Sequence, residues 1–355
     1  MTKQIQTAVV GVTGYAGAEL ARLLLHHPRL HDKHPVFAGR LDEKEAARGG
    51  TPLIEIHPQL ADNNGTGNLR LEAFSWELLA ERGVEVLFLA TPHEQSREWV
   101  PEALDRGLRV IDLSGAWRLT EASNRAVYAF EDEGSETAVA TQAQAVYGMP
   151  EMYRQQIAGA RLIANPGCYS TSVILPLKPL VAAGLLDLER GIVADSKSGV
   201  SGAGKAPTTK THFMYAADNL SAYGVFGHRH TGELLEQIGV GSSEIVFTPH
   251  LLPIPRGILS TIYVHFKEAQ TRDSIARVYQ QFFAGSPMVR FYDKTLPQIQ
   301  YVVRTNFADI GFQIDPSGRR AVIVSCLDNL LKGAAGQAVQ NLNVMLGWGE
   351  SEGLA

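Results

Sequence analysis

The stretch that most constrains this chain is TAVVGVTGYAGAELARLLLHH, residues 7–27. Thr7 to Val10 form a strand-like run, and Gly11, Gly14 and Gly17 follow at three-residue spacing. Leu20, Leu23 and Leu24 then fall on one helical face. Strand, glycine turn and helix in that order is the setting in which a glycine pattern carries information. The glycines permit a tight turn and a close approach of pyrophosphate, whose charge the first N–H groups of the helix can bind. An ordinary tight turn is the other reading.

Strand and helix continue to alternate. HPVFAGR (34–40), VEVLFLATP (84–92) and LRVIDLSG (108–115) read as strands, with a helix over about 96–106. This predicts an α/β domain with a Rossmann-type, doubly wound parallel sheet over about residues 5–165. The second strand ends at Arg40, which suits a 2′-phosphate and favours NADP(H). Asp42 and Glu43 stand close by, and a strand end two residues later would favour NAD instead.

Beyond Cys168 the strand-like stretches lie far apart: GIVADSKSGVSG, EIVFTPHLLPI, GILSTIYVHF and RRAVIVSCLDN. Helices are expected near 231–238 and 272–283, so this part reads as a second, α+β domain. The tail carries Ala335, Val339, Leu342 and Leu346 at helical spacing and is expected to return to the first domain. The expected division is therefore 1–168 with 329–355 for the dinucleotide, and 169–328 for catalysis, substrate and oligomerisation.

Composition narrows the classes. A net charge of -5 gives no electrostatic case for nucleic acid or an anionic membrane. No apolar run approaches the roughly 18 residues that span a bilayer. The N-terminal stretch shows no extended apolar export signal. Two cysteines make no disulfide framework, so a reducing cytoplasm is expected.

One of them, Cys168, lies in ANPGCYST (164–171). A Pro-Gly turn precedes it, and a helix can start at or just after it. A thiolate at a helix N-terminus is stabilised by unpaired N–H groups and the helix dipole, as a nucleophile requires. The alternative is a small buried hydrophobe. GHRHTGE (227–233) offers His228 and His230 as acid/base candidates. It could also be a solvated loop, while a metal site is weak without further ligands at suitable spacing. One sequence does not fix a pairing across 60 residues. GVSGAGKA (199–206) imitates a P-loop, but Ala206 stands where a magnesium-binding hydroxyl belongs. It reads better as a glycine-rich loop lining a substrate pocket, with Lys205 nearby. Cys326, in an apolar strand, reads as structural.

GVTGYAGAEL, VIDLSGAWRL, YGMPE, NPGCYSTSVILPLKPL, SKSGVSGAGK, FGHRHTGE, PIPRGILST and KGAAGQAVQNLN together resemble the N-acetyl-gamma-glutamyl-phosphate reductase family, the N-acetylglutamate-semialdehyde dehydrogenases. Its superfamily includes aspartate-semialdehyde dehydrogenase and, more distantly, glyceraldehyde-phosphate dehydrogenase. The resemblance implies NADPH-dependent reduction of an acyl phosphate to a semialdehyde and phosphate through a cysteine thioester, in arginine biosynthesis, by a homotetramer or dimer. It implies Cys168 as nucleophile, with His228 slightly ahead of His230 as acid/base. Gly11 and the run Thr13, Gly14, Tyr15, Ala16, Gly17 would bind the dinucleotide phosphates, and Arg40 the 2′-phosphate. Ser114 would border the cofactor, and Ser198, Gly199 and Asn329 would lie near the nicotinamide. Arg118, Glu233 and Lys205 would face the substrate, Arg118 at its anionic end. GAWR (115–118) departs from the family pattern in lacking an acidic residue before the aromatic, and FAGR is an unusual second-strand ending. The same chemistry on the lysine-pathway acyl phosphate is the nearest rival, and Tyr169 leans against it. A cysteine hydrolase and a non-catalytic dinucleotide sensor are the rivals from other classes.

Overall fold

The computed structural model describes residues 4–30, 33–61 and 66–354. The chain divides into two compact units, one of Met1–Arg118, Phe130–Asn165 and Ala335–Ala355, the other of Leu119–Ala129 and Pro166–Ala334.

Among the described residues the first unit is built on eight strands: β1 Thr7–Val10, β2 Val36–Gly39, β3 Thr51–Pro52, β4 Arg70–Ala73, β5 Val86–Leu89, β6 Arg109–Asp112, β7 Ala145–Tyr147 and β8 Leu162–Ala164. Their order is β3-β4-β2-β1-β5-β6-β8-β7. Every pair is parallel except β3 with β4. Both β1 and β5 are buried along their whole length, as strands covered on two faces must be. Successive strands run outwards from β1 in both directions, which makes the carboxyl end of β1 a topological switch point. The glycine turn lies there. A Cβ on Gly11 would fall 2.3 Å from the Ala90 carbonyl oxygen, and one on Gly17 2.2 Å from the Gly11 carbonyl oxygen. These two glycines allow helix Tyr15–Leu25 to lie tight against the sheet.

The C-terminal helix Gly336–Met345 is buried on every side and packs against helices Pro150–Gly159 and Tyr15–Leu25. Two of its amides tie it to the turn before helix Pro150–Gly159: Gln337 Nε2 and Asn341 Nδ2 donate to the Gly148 carbonyl oxygen at 2.7 and 2.8 Å. His27 latches the far side. Its Nδ1 accepts the Arg29 N–H at 3.2 Å, which leaves Nε2 to donate to Asn343 Oδ1 at 3.0 Å.

The second unit carries β9 Ile192–Gly199, β10 Ser221–Ala222, β11 Ile245–Leu252, β12 Ile258–His265, β13 Val289–Tyr292, β14 Ala308–Ile314 and β15 Arg320–Leu327. The order β10-β11-β9-β12-β15-β14-β13 is mixed, with β9–β11 and β13–β14 parallel. Burial alternates along β9, β11 and β12, so one face is covered and the other open. Helix Cys168–Ala182 covers the inner face, and helix Arg272–Phe282 packs beside it.

The units differ from the expected division at three places, each with a local cause. Cys168 opens a helix that lies on the second sheet, so the second unit begins at Pro166. Glu236 holds residues 119–129 by accepting from Thr120 N, Thr120 Oγ1, Glu121 N and Asn124 Nδ2. Residues 329–334 stay with the second unit because Asp328 accepts the N–H groups of Leu330 and Leu331.

Burial lowers the pKa of His27 below its ordinary 6.5, against smaller raising contributions led by Asn343. The native state then binds fewer protons than the unfolded chain, so stability present above that value is lost as pH falls. The gap in thermal midpoint between wild type and His27→Gln should narrow from pH 7 to pH 5. A constant gap would show that His27 titrates alike in both states.

Candidate active site

The first unit supplies a cavity of about 680 Å³ at the switch point, with Gly11, Thr13, Gly14, Arg40, Phe74 and Trp99 among its walls. Among the described residues no side chain caps helix Tyr15–Leu25, so Gly14, Tyr15 and Ala16 present an uncapped helix start. A Cβ on Gly14 would meet only the Gly11 carbonyl oxygen, at 3.7 Å. The protein itself therefore leaves room at Gly14, in contrast to Gly11 and Gly17. Phe74 stacks on Trp99 at 4.3 Å and 18°. Arg40 is exposed at the cavity. Asp42 is turned away into a capping box, accepting the Glu45 N–H at 2.8 Å while Glu45 Oε2 accepts the Asp42 N–H at 2.8 Å.

At the end of β6, Asp112 is fully buried, and burial raises its pKa. Ser114 donates to it through N and Oγ at 3.0 and 2.7 Å, and Ser114 Oγ accepts the Ala116 N–H at 3.1 Å. The Ser114 hydroxyl thus holds its own turn. Arg118, mostly buried, donates from Nη2 to the Leu113 carbonyl oxygen at 2.7 Å.

The second unit brings together the cysteine and the histidine segment. Cys168 is the first residue of its helix and is half-buried, while Tyr169 to Leu177 behind it are buried. Its N-cap is Gly167 in an extended conformation, without a capping side chain among the described residues. The His230 ring lies against that glycine, since a Cβ on residue 167 would fall 2.4 Å from Nε2. Glu233 is fully buried, accepts the Gly167 N–H at 3.0 Å, and places Oε1 3.9 Å from His230 Nε2. The sequence reading placed Glu233 with the substrate. In the structure the carboxylate lies behind the cysteine turn and beside the imidazole.

His228 sits differently. Its Nδ1 accepts the His230 N–H at 3.1 Å, so the neutral ring carries its proton on Nε2. The rings of Tyr169, Tyr223, Phe247 and His230 surround it edge-on at 5.6, 5.5, 5.5 and 4.7 Å. Burial, aided by the Arg229 charge, lowers its pKa to about 4. Tyr169 Oη donates to the His250 carbonyl oxygen at 2.6 Å. Burial holds that phenol well above its ordinary range and pushes Tyr223 up to about 12.

Ser198, Gly199 and Asn329 meet in one place. Gly199 is pressed by backbone, with Arg256 N 2.7 Å from where its Cβ would be. Ser198 Oγ donates to the Gly199 carbonyl oxygen at 3.1 Å. The Asn329 side chain accepts the Gly257 N–H at 2.7 Å and donates to Ser201 Oγ at 2.9 Å. Asn329 therefore staples two loops together. Lys205 is exposed beyond Gly204, and the next element is the short turn Thr209–Thr211, not the helix a P-loop feeds. Cys326 is buried, and burial pushes its thiol up to about 12. Sequence reasoning missed Tyr223 beside His228, because the edge strand just before it, Ser221–Ala222, is only two residues long.

A family model described as "Semialdehyde dehydrogenase, NAD binding domain" matches residues 6–160, and one described as "Semialdehyde dehydrogenase, dimerisation domain" matches 168–329. The curated N-acetyl-gamma-glutamyl-phosphate reductase of Methanocaldococcus jannaschii is 39% identical over 352 residues, 98% of this chain and 97% of its own. The one from Desulfotalea psychrophila is 42% identical over 355 residues, covering 99% and 98%. Among solved structures, aspartate semialdehyde dehydrogenase II from Vibrio cholerae superposes with a TM-score of 0.68 at 18% identity over 97% of this chain and 99% of its own. The last comparison shows the fold alone.

With Nδ1 engaged and the pKa near 4, His228 should not titrate between pH 8 and pH 5. Nitrogen NMR of labelled histidine should show Nδ1 bare and Nε2 protonated throughout that window. A titration near 6.5 would contradict this arrangement.

Proposed function

Because the chain belongs to the N-acetyl-gamma-glutamyl-phosphate reductase family, we propose that it reduces N-acetyl-gamma-glutamyl phosphate with NADPH to N-acetylglutamate 5-semialdehyde and phosphate, in arginine biosynthesis. The observation that carries this reading is Cys168 at an uncapped helix start, with His230 over the preceding glycine and Glu233 buried behind both.

Cys168 is the nucleophile. The helix start favours its thiolate. His230 takes the thiol proton, and the Glu233 carboxylate stabilises the imidazolium that results. His230 is preferred to His228 because His228 is held neutral, with its acceptor nitrogen engaged by a backbone N–H. The thiolate attacks the acyl phosphate carbonyl, the C–O bond to phosphate breaks, and a thioester remains on Cys168. His230 can return its proton to the departing phosphate. The neutral Nε2–H of His228 suits it to donate to a developing oxyanion. Arg118 and Lys205 are candidates for the substrate's anionic groups.

A nicotinamide cofactor, once bound, supplies the hydride that reduces the thioester carbonyl. The residues present fit such a group. The helix start is uncapped, Gly14 leaves room for a phosphate, and the cavity wall is aromatic. NADP(H) is favoured over NAD(H) by Arg40 at the cavity and by the engagement of Asp42 in its own helix cap. After reduction the thiolate leaves, which releases the aldehyde.

A homodimer or homotetramer is supported by the open face of the second sheet. There Val246, Val193 and Tyr263 lie side by side in register and are 36%, 42% and 45% exposed. Among the described residues no helix is long and apolar enough to cross a membrane. A mechanism through a free thiol suits a reducing, cytoplasmic compartment.

The test is absorbance at 340 nm with N-acetylglutamate 5-semialdehyde, phosphate and NADP⁺. Phosphate-dependent formation of NADPH is expected, with Cys168→Ser about a thousandfold slower or worse. Substantial activity in Cys168→Ser would overturn the nucleophile. Faster turnover of the one-carbon-longer aldehyde would move the substrate to the lysine pathway. Arg40→Ala should weaken NADPH roughly tenfold or more and leave NADH nearly unchanged; equal loss for both would remove the basis for NADP.

Gly14 and Gly17 separate binding from packing. Gly17→Ala forces a Cβ into the Gly11 carbonyl and should lower the thermal midpoint sharply. Gly14→Ala should cost at most about 1 kcal/mol of stability yet weaken dinucleotide binding. Unchanged binding in Gly14→Ala would count against a phosphate at that turn.

A further inference from the structure

Cys168 has a second close neighbour that helix capping does not explain. The turn Leu331–Ala335 passes against the first residue of the cysteine helix. A Cβ on Gly333 would lie 2.7 Å from Cys168 Cβ, 3.2 Å from Cys168 Cα and 3.2 Å from the Asp328 carbonyl oxygen. Real Cβ atoms essentially never approach within 3.0 Å, and none of these atoms is the far end of a flexible side chain. The φ of Gly333 lies outside the left-handed region, so glycine is not needed there for backbone freedom. What it contributes is the absence of a side chain.

The turn cannot easily retreat. Asp328 is fully buried. Its Oδ1 accepts the N–H groups of Leu330 and Leu331 at 2.8 and 3.1 Å, and its Oδ2 accepts the Arg304 N–H at 2.7 Å. Arg256 grips both oxygens at 3.1 Å. The Asp328 carbonyl oxygen accepts the Gly333 N–H at 2.9 Å. Gly333 is thus pinned by a buried ion pair on one side and abuts the nucleophile on the other.

We propose that Gly333 is a positioning residue for Cys168: by lacking a side chain it lets the anchored turn press on the cysteine Cβ, which limits the staggered positions open to the thiol and keeps it at the helix start. This rests on reading Cys168 as the nucleophile. Since a misplacement of about 1 Å can cost a hundredfold in rate, the contact bears on catalysis as well as on packing.

The experiment uses the full-length enzyme and Gly333→Ala. The expected result is a fall in kcat of roughly tenfold to a hundredfold, with KM for the semialdehyde and for NADP⁺ within about threefold of wild type. The pH profile of iodoacetamide alkylation at Cys168 should shift by about one unit. Wild-type kcat together with an unshifted alkylation profile would overturn the proposal. The contact itself is read from a double-mutant cycle with Cys168→Gly, which removes the opposing Cβ. Gly333→Ala should lower the thermal midpoint less in that background than in wild type. If Gly333→Ala alone does not fold, Cys168→Gly should restore folding. An equal loss in both backgrounds, or no rescue, would overturn the proposal. Retained activity in Cys168→Ser would instead sink the nucleophile, while the cycle would still report the contact.

Discussion

A carboxylate removed from water must be met by donors or opposite charge, and Glu233 meets that requirement at the point where the chemistry is placed. One oxygen takes the Gly167 N–H and the other faces His230. Three things follow from one buried group. The turn before Cys168 is fixed, the imidazole is held beside it, and an imidazolium there has a partner. Gly167 is part of the same arrangement, because a side chain at that position would occupy the space of the His230 ring.

The two histidines show how local bonding separates like residues. They are two positions apart and their rings are 4.7 Å apart. His228 accepts a backbone N–H and is ringed by aromatic side chains, so its proton stays on one nitrogen across the working range. His230 faces a carboxylate instead. Environment, not residue type, sets the two rings apart.

Much of this was legible in the sequence. The βα alternation, the glycine turn and the cysteine at a helix start are local patterns, and the structure has each where the residues indicated. Helix Cys168–Ala182 begins at the residue the Pro-Gly turn suggested. What escaped was non-local. Strand β14, ADIGFQI, was not anticipated. Its Gly311 interrupts the side-chain pattern and serves a close approach to the Thr295 carbonyl, 2.8 Å from where a Cβ would be. The resemblance implies Glu233 at the substrate, and only the fold brings it against Gly167, 66 residues away in the sequence. The preference of His230 over His228 depends on one backbone bond that no spacing rule reveals. The domain edges moved for the same reason: Glu236 draws 119–129 to a unit more than a hundred residues downstream.

The buried C-terminal helix has a consequence for how the chain is made. Residues 336–345 fill the space beside helices that begin at Tyr15 and Pro150, and Asn343 closes on His27. A ribosome releases these residues after the helices they cover. The second unit, ending at Ala334, has all of its strands outside the tunnel sooner than the first unit has its last helix. The unit that holds the glycine turn is therefore completed after the other unit has all of its strands. Until residues 336–345 emerge, the apolar faces of helices Tyr15–Leu25 and Pro150–Gly159 await their cover, and the nascent enzyme is exposed to aggregation there.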